Sequence, residues 1–251
     1  MGKLEGYVAI VTGSASGIGR GIALAFAREG CSGLTLVDLN TDGAQEVAAA
    51  CELHDGVSAQ VVSADVADEA QVQGFVDATL KAYGGRIDIL CNNAGIASGS
   101  YVHEMPTDMW QKMIDTDLTS VFYGCRAVLP TMLAQDSGRI ISTGSQLGFR
   151  GAPSLSHYCA AKGAVHAFTK SLAREVAHTG IRVNAIAPGP TDTAILGDVP
   201  ADELELIRLD VPLKRFAKVE EIVPTVVMLA SEDGGGYYHG AVMNVSGGHV
   251  M

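Results

Sequence analysis

The sequence predicts an α/β fold in which a doubly wound parallel sheet is covered by helices on both faces. Two observations carry the prediction. Short β-branched runs alternate with longer segments of helical period through most of the 251 residues, an order that buries strands on both faces of a parallel sheet. The first such run passes through a glycine-rich turn straight into a helix. The chain contains no internal repeat, low-complexity tract or Pro/Gly linker, so one domain over 1–251 is expected.

In chain order, the first strand is read at 7–11 as Tyr7-Val8-Ala9-Ile10-Val11, followed by a helix from Gly19 to Glu29. Strands at 33–38 and 57–63 flank a helix from Gly43 to Leu53, and a helix from Glu69 to Tyr83 leads to a strand at 87–91. A long helix, Thr107 to Leu133, precedes the strand at 138–142. The helix from Tyr158 to His178 carries an apolar stripe of Val165, Phe168, Leu172 and Val176, suited to its own sheet or to another subunit. A strand at 181–186, a helix from Val219 to Ala230 and a strand at 241–245 complete the pattern. The segment 190–218 breaks the rhythm with Pro190, Pro200 and Pro212 around the amphipathic Glu203-Leu204-Glu205-Leu206-Ile207. A long excursion after a strand end is a candidate substrate lid.

Composition narrows the function. Hydrophobic residues make up 47% and charged residues 18%, which supplies a core and argues against disorder. The formal charge of −11 opposes binding to a phosphate backbone, so a small-molecule partner is expected and nucleic acid is not. No apolar run approaches the roughly 18–20 residues that span a bilayer, and the N-terminus lacks a signal-peptide layout, so a cytoplasmic protein without membrane contact is expected. Cys31, Cys51, Cys91, Cys125 and Cys159 form an odd set without Cys-x-x-Cys and read as reduced packing residues. No histidine spacing indicates a metal.

The turn after the first strand reads Thr12-Gly13-Ser14-Ala15-Ser16-Gly17-Ile18-Gly19. Glycine permits a tight turn and close approach of the backbone to a pyrophosphate, whose charge is favoured at a helix N-terminus. The spacing is G-x3-G-x-G, placing Gly13, Ser16, Gly17, Ile18 and Gly19 at the cofactor. Asp38 ends the second strand, 19 residues after Gly19, near the separation expected of the acid that binds adenosine ribose hydroxyls. A carboxylate accepts hydrogen bonds from a free 2′-hydroxyl and repels a 2′-phosphate, so NAD is favoured over NADP. Leu39 and Ser16 flank the site without positive charge, and the nearest arginine, Arg20, lies on the helix beyond the turn.

The chemical signal is Ser145, Tyr158 thirteen residues later and Lys162 four further on. Tyr158 and Lys162 share a helical face. An ordinary tyrosine titrates near pH 10, and a nearby ammonium favours the phenolate. Tyr158 can then exchange a proton with a carbonyl or alcohol oxygen, while Ser145 hydrogen-bonds that oxygen and orients the carbon.

Together these residues resemble the short-chain dehydrogenase/reductase family in its single-domain branch of about 250 residues. The resemblance spans nearly the whole chain through Thr12-Gly13-x3-Gly17-x-Gly19, Asp38, Asp65-Val66, Asn92-Asn93-Ala94-Gly95, Ser145, Tyr158-x3-Lys162 and Pro188-Gly189-Pro190-Thr191-Asp192-Thr193. It implies a Rossmann-like fold and an NAD-dependent oxidoreductase acting on a secondary alcohol or ketone. Tyr158 would be the acid/base, Lys162 would assist it and hold the nicotinamide ribose, and Ser145 would orient substrate. Asp65 and Val66 would meet adenine, Asn92, Asn93, Ala94 and Gly95 would line the cofactor while tying the central strands together, and Pro188, Gly189, Thr191 and Thr193 would approach the nicotinamide side. A homotetramer is expected by the same resemblance.

Two positions depart from the family pattern. Asp117 stands where the family usually has a catalytic Asn that holds a water beside the active-site lysine; it can accept the water's hydrogen bond but brings charge if ionised, so a working relay of altered pH dependence is expected. Ser246 stands where Asp commonly precedes the terminal glycine pair, and packing or subunit contact is expected of it. His157 beside Tyr158 points about 100° away and is not expected to be catalytic. The rival enzyme is a 3-oxoacyl-thioester reductase, against which stand Asp38 and the sequence Ala97-Ser98-Gly99 after Ile96 in place of the Thr-Arg-Asp usual there. A dinucleotide-binding sensor without turnover is the alternative of another class. The substrate pocket is expected near Ser98, Gln146 to Arg150, Pro153 and 190–210, with Leu147, Phe149, Leu155 and Ile195 giving partly apolar walls.

Overall fold

The computed structural model describes residues 2–197 and 199–251. Seven strands form one sheet: β1 (Val8–Thr12), β2 (Gly33–Val37), β3 (Ser58–Val62), β4 (Ile89–Asn92), β5 (Gly138–Thr143), β6 (Ile181–Pro188) and β7 (Val242–Val245). Their order is β3-β2-β1-β4-β5-β6-β7 and every pairing is parallel. Because the chain leaves β1 in one direction and returns as β4 on the other side, the crevice between these strands' carboxyl ends is the topological switch point, where ligands bind in open α/β sheets.

The apolar residues divide by the period of two that sends successive side chains to opposite faces. Ala9, Val11, Leu34, Leu36, Ile89 and Cys91 join one core with α1 (Gly17–Arg28), α2 (Thr41–Cys51) and α8 (Val219–Ala230). Ile10, Val37, Leu90, Ile140 and Val183 join the other with α3 (Glu69–Ala82), α5 (Ser120–Gln135) and α6 (Ser156–Glu175). Val165, Leu172 and Val176 lie in this second core and Phe168 packs against it, so the apolar stripe serves the sheet. The cysteines are free thiols, four of them buried, and burial pushes Cys51 up to about 11.

Local chemistry sets the boundaries where they differ from the periodicity. Asn40 caps α2 by accepting from the Gly43 N–H (3.1 Å), so that helix starts at Thr41 rather than Gly43. The ladder of β4 starts at Ile89 rather than 87, because the Asp88 side chain accepts the Val8 N–H (2.8 Å) ahead of it. The helix expected as continuous over 107–133 is α4 (Thr107–Ile114), a π-helical turn Asp115–Thr119, then α5. A π turn inserts a residue into the helical register, often at functional sites, and here it turns Asp117 inward to 1% exposure. In the excursion, α7 (Ala201–Asp210) follows a short 3₁₀ turn at Ala194–Leu196; Asp198, part of the expected lid, lies outside the described residues. No described helix is long and apolar enough to cross a membrane.

Candidate active site

All parallel strands point their carboxyl ends to one edge, so residues far apart in sequence converge there. Thr12 ends β1, Asp38 follows β2, Asn92 ends β4, Ser145 follows β5 and Pro188 ends β6.

The turn after β1 is built around backbone proximity. Gly13 has φ +66°, and a Cβ on it would sit 2.8 Å from the Ala94 Cα; on Gly19 a Cβ would sit 2.0 Å from the Gly13 carbonyl oxygen. The Ser16 side chain does not cap α1 and no acidic residue occupies its first turn, which leaves its positive end for an anion. Asp38 is aimed by two backbone donors, Ala15 N–H to Oδ2 (2.9 Å) and Asn40 N–H to Oδ1 (2.9 Å). The first of these joins the acid to the glycine turn. Leu39 is exposed, as an apolar wall for a flat ring would be. Glycines that admit no side chain, an uncapped helix end and an oriented carboxylate together fit a dinucleotide.

Asp65 is exposed after β3, two strands from β1, with its Oδ1 accepting the Ala67 N–H (2.9 Å), and Val66 beside it is buried. Beyond β6, Thr191 is buried and donates to the Gly189 carbonyl (2.9 Å), and Thr193 lies across the turn, 3.3 Å from where a Gly17 Cβ would stand. Thus Thr193 faces the glycine turn, while Asp65 and Val66 follow β3, two strands from β1.

Asn93 and Thr12 tie the central strands together, the part that the resemblance assigns to Asn92 to Gly95; for Thr12, which stands within the glycine motif, no such part is expected from the sequence. The Thr12 hydroxyl accepts from the N–H groups of Asn93 and Ala94 (both 3.0 Å). Asn93 donates from Nδ2 to the Thr12 carbonyl (3.1 Å) and accepts from Thr143 (3.1 Å). These bonds join β1, β4 and β5 at the crevice. For Thr12 the sequence signal is position alone, ahead of Gly13.

At the chemical end, Lys162 is 4% exposed. Its ammonium donates to the Thr143 carbonyl (3.0 Å), stands 3.1 Å from the Asp117 Oδ2 and lies 5.7 Å from the centroid of the Tyr158 ring. Burial works against its charge, but the Asp117 carboxylate and Tyr158 outweigh burial and hold the ammonium above its ordinary range. Ser145 is buried, and its Oγ accepts from the Leu147 N–H (3.1 Å), which leaves its proton free to donate elsewhere. His157 is fully buried and its Nε2 meets Ser98 Oγ at 3.1 Å, so it packs behind the site. Asp117 is in direct contact with the Lys162 ammonium. Ser246 is buried, its Oγ donating to the Val250 carbonyl (3.3 Å), a packing role.

Beyond β5 come the turn Gln146–Gly148 and the loop after it. Arg150 on that loop is paired with Asp210 (3.0 Å), which also accepts from His249 (2.7 Å), tying the end of α7 to the loop and the C-terminal tail.

A family model described as short chain dehydrogenase matches residues 7–204. The chain is 39% identical over 251 residues to a 3-oxoacyl-acyl-carrier-protein reductase of Synechocystis, with 100% of both covered. It is 36% identical over 249 residues to the corresponding Escherichia coli reductase, with 99% of each covered. Among solved structures it resembles levodione reductase (TM-score 0.92, 34% identity, 98% of each chain). It also resembles a short-chain type dehydrogenase/reductase from Mycobacterium marinum (TM-score 0.93, 34% identity, 98% and 96% covered). With the family match spanning most of the chain and the glycine turn, Ser145, Tyr158 and Lys162 gathered at one sheet edge, the protein belongs to the short-chain dehydrogenase family of nicotinamide-dinucleotide oxidoreductases.

Proposed function

We propose that the protein is an NAD(H)-dependent oxidoreductase that interconverts a secondary alcohol and its ketone. The observation that carries this is the buried Lys162 ammonium beside Tyr158, with Ser145 on the adjoining strand end. The nicotinamide, when bound, supplies or accepts the hydride. The chain's own residues handle the oxygen. Tyr158 Oη gives a proton to the ketone oxygen or takes it from the alcohol, Ser145 donates its free proton to the same oxygen, and Lys162 keeps positive charge beside the phenol and holds the nicotinamide ribose. Gly13 to Gly19 would cradle the pyrophosphate, with Asn92, Ala94, Gly95 and Pro188 to Thr193 around the nicotinamide half.

The preference for NAD rests on Asp38. Its carboxylate is held by two backbone N–H groups, and neither Thr12–Gly19 nor Asp38–Asp42 contains a lysine or arginine to neutralise a 2′-phosphate. Residues 190–218 serve as a lid, supported by the Arg150–Asp210 pair across the substrate side. The homotetramer is favoured by apolar side chains left exposed on α5, Phe122 and Leu133, and has light scattering as its test.

A second reading, reduction of 3-oxoacyl thioesters, is favoured by the names of the relatives. The test follows absorbance of the reduced nicotinamide with NAD(H) and NADP(H) across secondary alcohols, diols, sugars, hydroxysteroids, matching ketones and a 3-oxoacyl thioester. Turnover with NAD is expected, falling roughly 10²–10⁴-fold in Tyr158→Phe. Asp38→Ala is expected to raise KM for NAD about 10- to 100-fold, through loss of charged hydrogen bonds of roughly 1.5–3 kcal/mol. Preference for NADP by the unaltered enzyme would overturn the cofactor assignment, and thioester reduction outpacing every ketone would establish the second reading.

A further inference from the structure

The Asp117–Lys162 contact is a closed arrangement. The carboxylate is 1% exposed and the lysine 4%. Asp117 Oδ1 accepts the Ile96 N–H (2.9 Å), and Oδ2 faces the ammonium at 3.1 Å. Among the described residues Oδ2 has no hydrogen-bond partner, so the ammonium is its sole counter-group. Gly95 seals the pair: a Cβ there would lie 3.0 Å from Oδ2 and 3.4 Å from Nζ. Three separate features therefore build the contact, namely the π turn that directs Asp117 inward, the backbone donor at Ile96 and the side-chain-free residue between them.

We infer that Asp117 is a positioning residue that compensates the charge of Lys162 and thereby raises the pH at which Tyr158 yields its proton, relative to an amide at the same place. The inference rests on the proposed acid/base role of Tyr158. With an amide at 117, the ammonium's whole field would favour the phenolate. With a carboxylate at contact distance in a dry setting, the pair is neutral and that field is largely cancelled. The phenol then keeps its proton to higher pH, and the protonated form is the one that carbonyl reduction requires. The same pair fixes the ammonium between Asp117 and the Thr143 carbonyl, so Lys162 is held in place, still protonated, with its charge compensated.

Few other groups can contribute. On α6 the titratable neighbours are Tyr158, His157 and His166; burial disfavours charge on both histidines, and the Lys162 ammonium further disfavours it on His166. On α4, Asp108 and Lys112 are exposed, as is Arg126 on α5. Asp115 on the turn itself accepts from Gln111 (2.8 Å). Among the described residues of β5 and the loop after β4, the pair meets the Thr143 carbonyl, the Ile96 N–H and Gly95.

The test is Asp117→Asn, read in two ways. The pH profile of NAD-linked alcohol oxidation should move its acid limb down by about one unit or more, because removal of one negative charge makes every proton of the cluster easier to lose. Independently of turnover, the phenolate absorbance of Tyr158 should appear at correspondingly lower pH. It is isolated by subtracting the ultraviolet titration of the matching Tyr158→Phe protein. A shift in the absorbance without any turnover would support the pair and count against the proposed reaction. An unchanged or upward-shifted titration would overturn the inference, even if the rate fell. Should Asp117→Asn not fold, Asp117→Ser, which keeps a small acceptor for Ile96, is measured in its place. Failure of both to fold would make Asp117 a structural group and overturn the inference equally.

Discussion

His166 lies under the turn Gln146–Gly148 and should make the protein acid-labile. It is 4% exposed, and neither ring nitrogen has a hydrogen-bond partner among the described residues. Its ring packs 4.4 Å from that of Phe149, and Cβ atoms on Gly144 or Gly148 would lie 2.4 and 2.6 Å from it. Burial, reinforced by the ammonium groups of Lys170 and Lys162, lowers its pKa from 6.5 to about 4. Below about pH 6.5 the unfolded chain binds a proton that the folded chain refuses, so stability falls until about pH 4, where the native histidine is also charged. Integrated over that window the loss is about 2 kcal/mol at pH 5 and about 3 kcal/mol at full extent. The perturbation is His166→Leu, similar in volume and uncharged. Urea denaturation at fixed protein concentration, at pH 7 and pH 5, gives each protein's loss; the parent should lose about 1.5–2 kcal/mol more than the variant. Other titrating groups occur in both proteins and cancel in the difference. Equal losses in parent and variant would refute the reasoning.

Gly19→Ala places a methyl group 2.0 Å from the Gly13 carbonyl oxygen and 2.6 Å from the Asn93 amide. The expected cost is about 3 kcal/mol or more, seen as a Tm lower by roughly 6–12 °C together with weakened dinucleotide binding by fluorescence titration. Unchanged Tm and binding would mean that the turn can relax. Phe75→Ala, at a site 1% exposed in the core between the sheet and α3, should cost about 3–5 kcal/mol in urea denaturation while the folded fraction keeps its KM for dinucleotide. A rise in KM would reveal coupling between that core and the site.

The sequence alone determined the sheet, because burial on both faces imposes apolar runs of strand length and crossover helices impose the alternation between them. The expected strand at 181–186 appears as Ile181–Pro188, and the helix expected from Val219 to Ala230 has those bounds. It also determined which residues meet at the sheet edge: once strands are parallel, Gly13, Asp38, Asn92 and Ser145 share one end by topology, and Tyr158 and Lys162 share a face by helical period. Only the tertiary structure decided what those groups touch. A π turn leaves no mark in hydrophobic periodicity, so Asp117 read as a member of a continuous helix near a lysine, not as that lysine's ion partner. The role of the Thr12 hydroxyl was invisible for a related reason, since it acquires that role from hydrogen-bond partners about eighty residues away. Local pattern specifies where an element runs; the charge state and proton affinity of a buried group depend on neighbours that folding supplies.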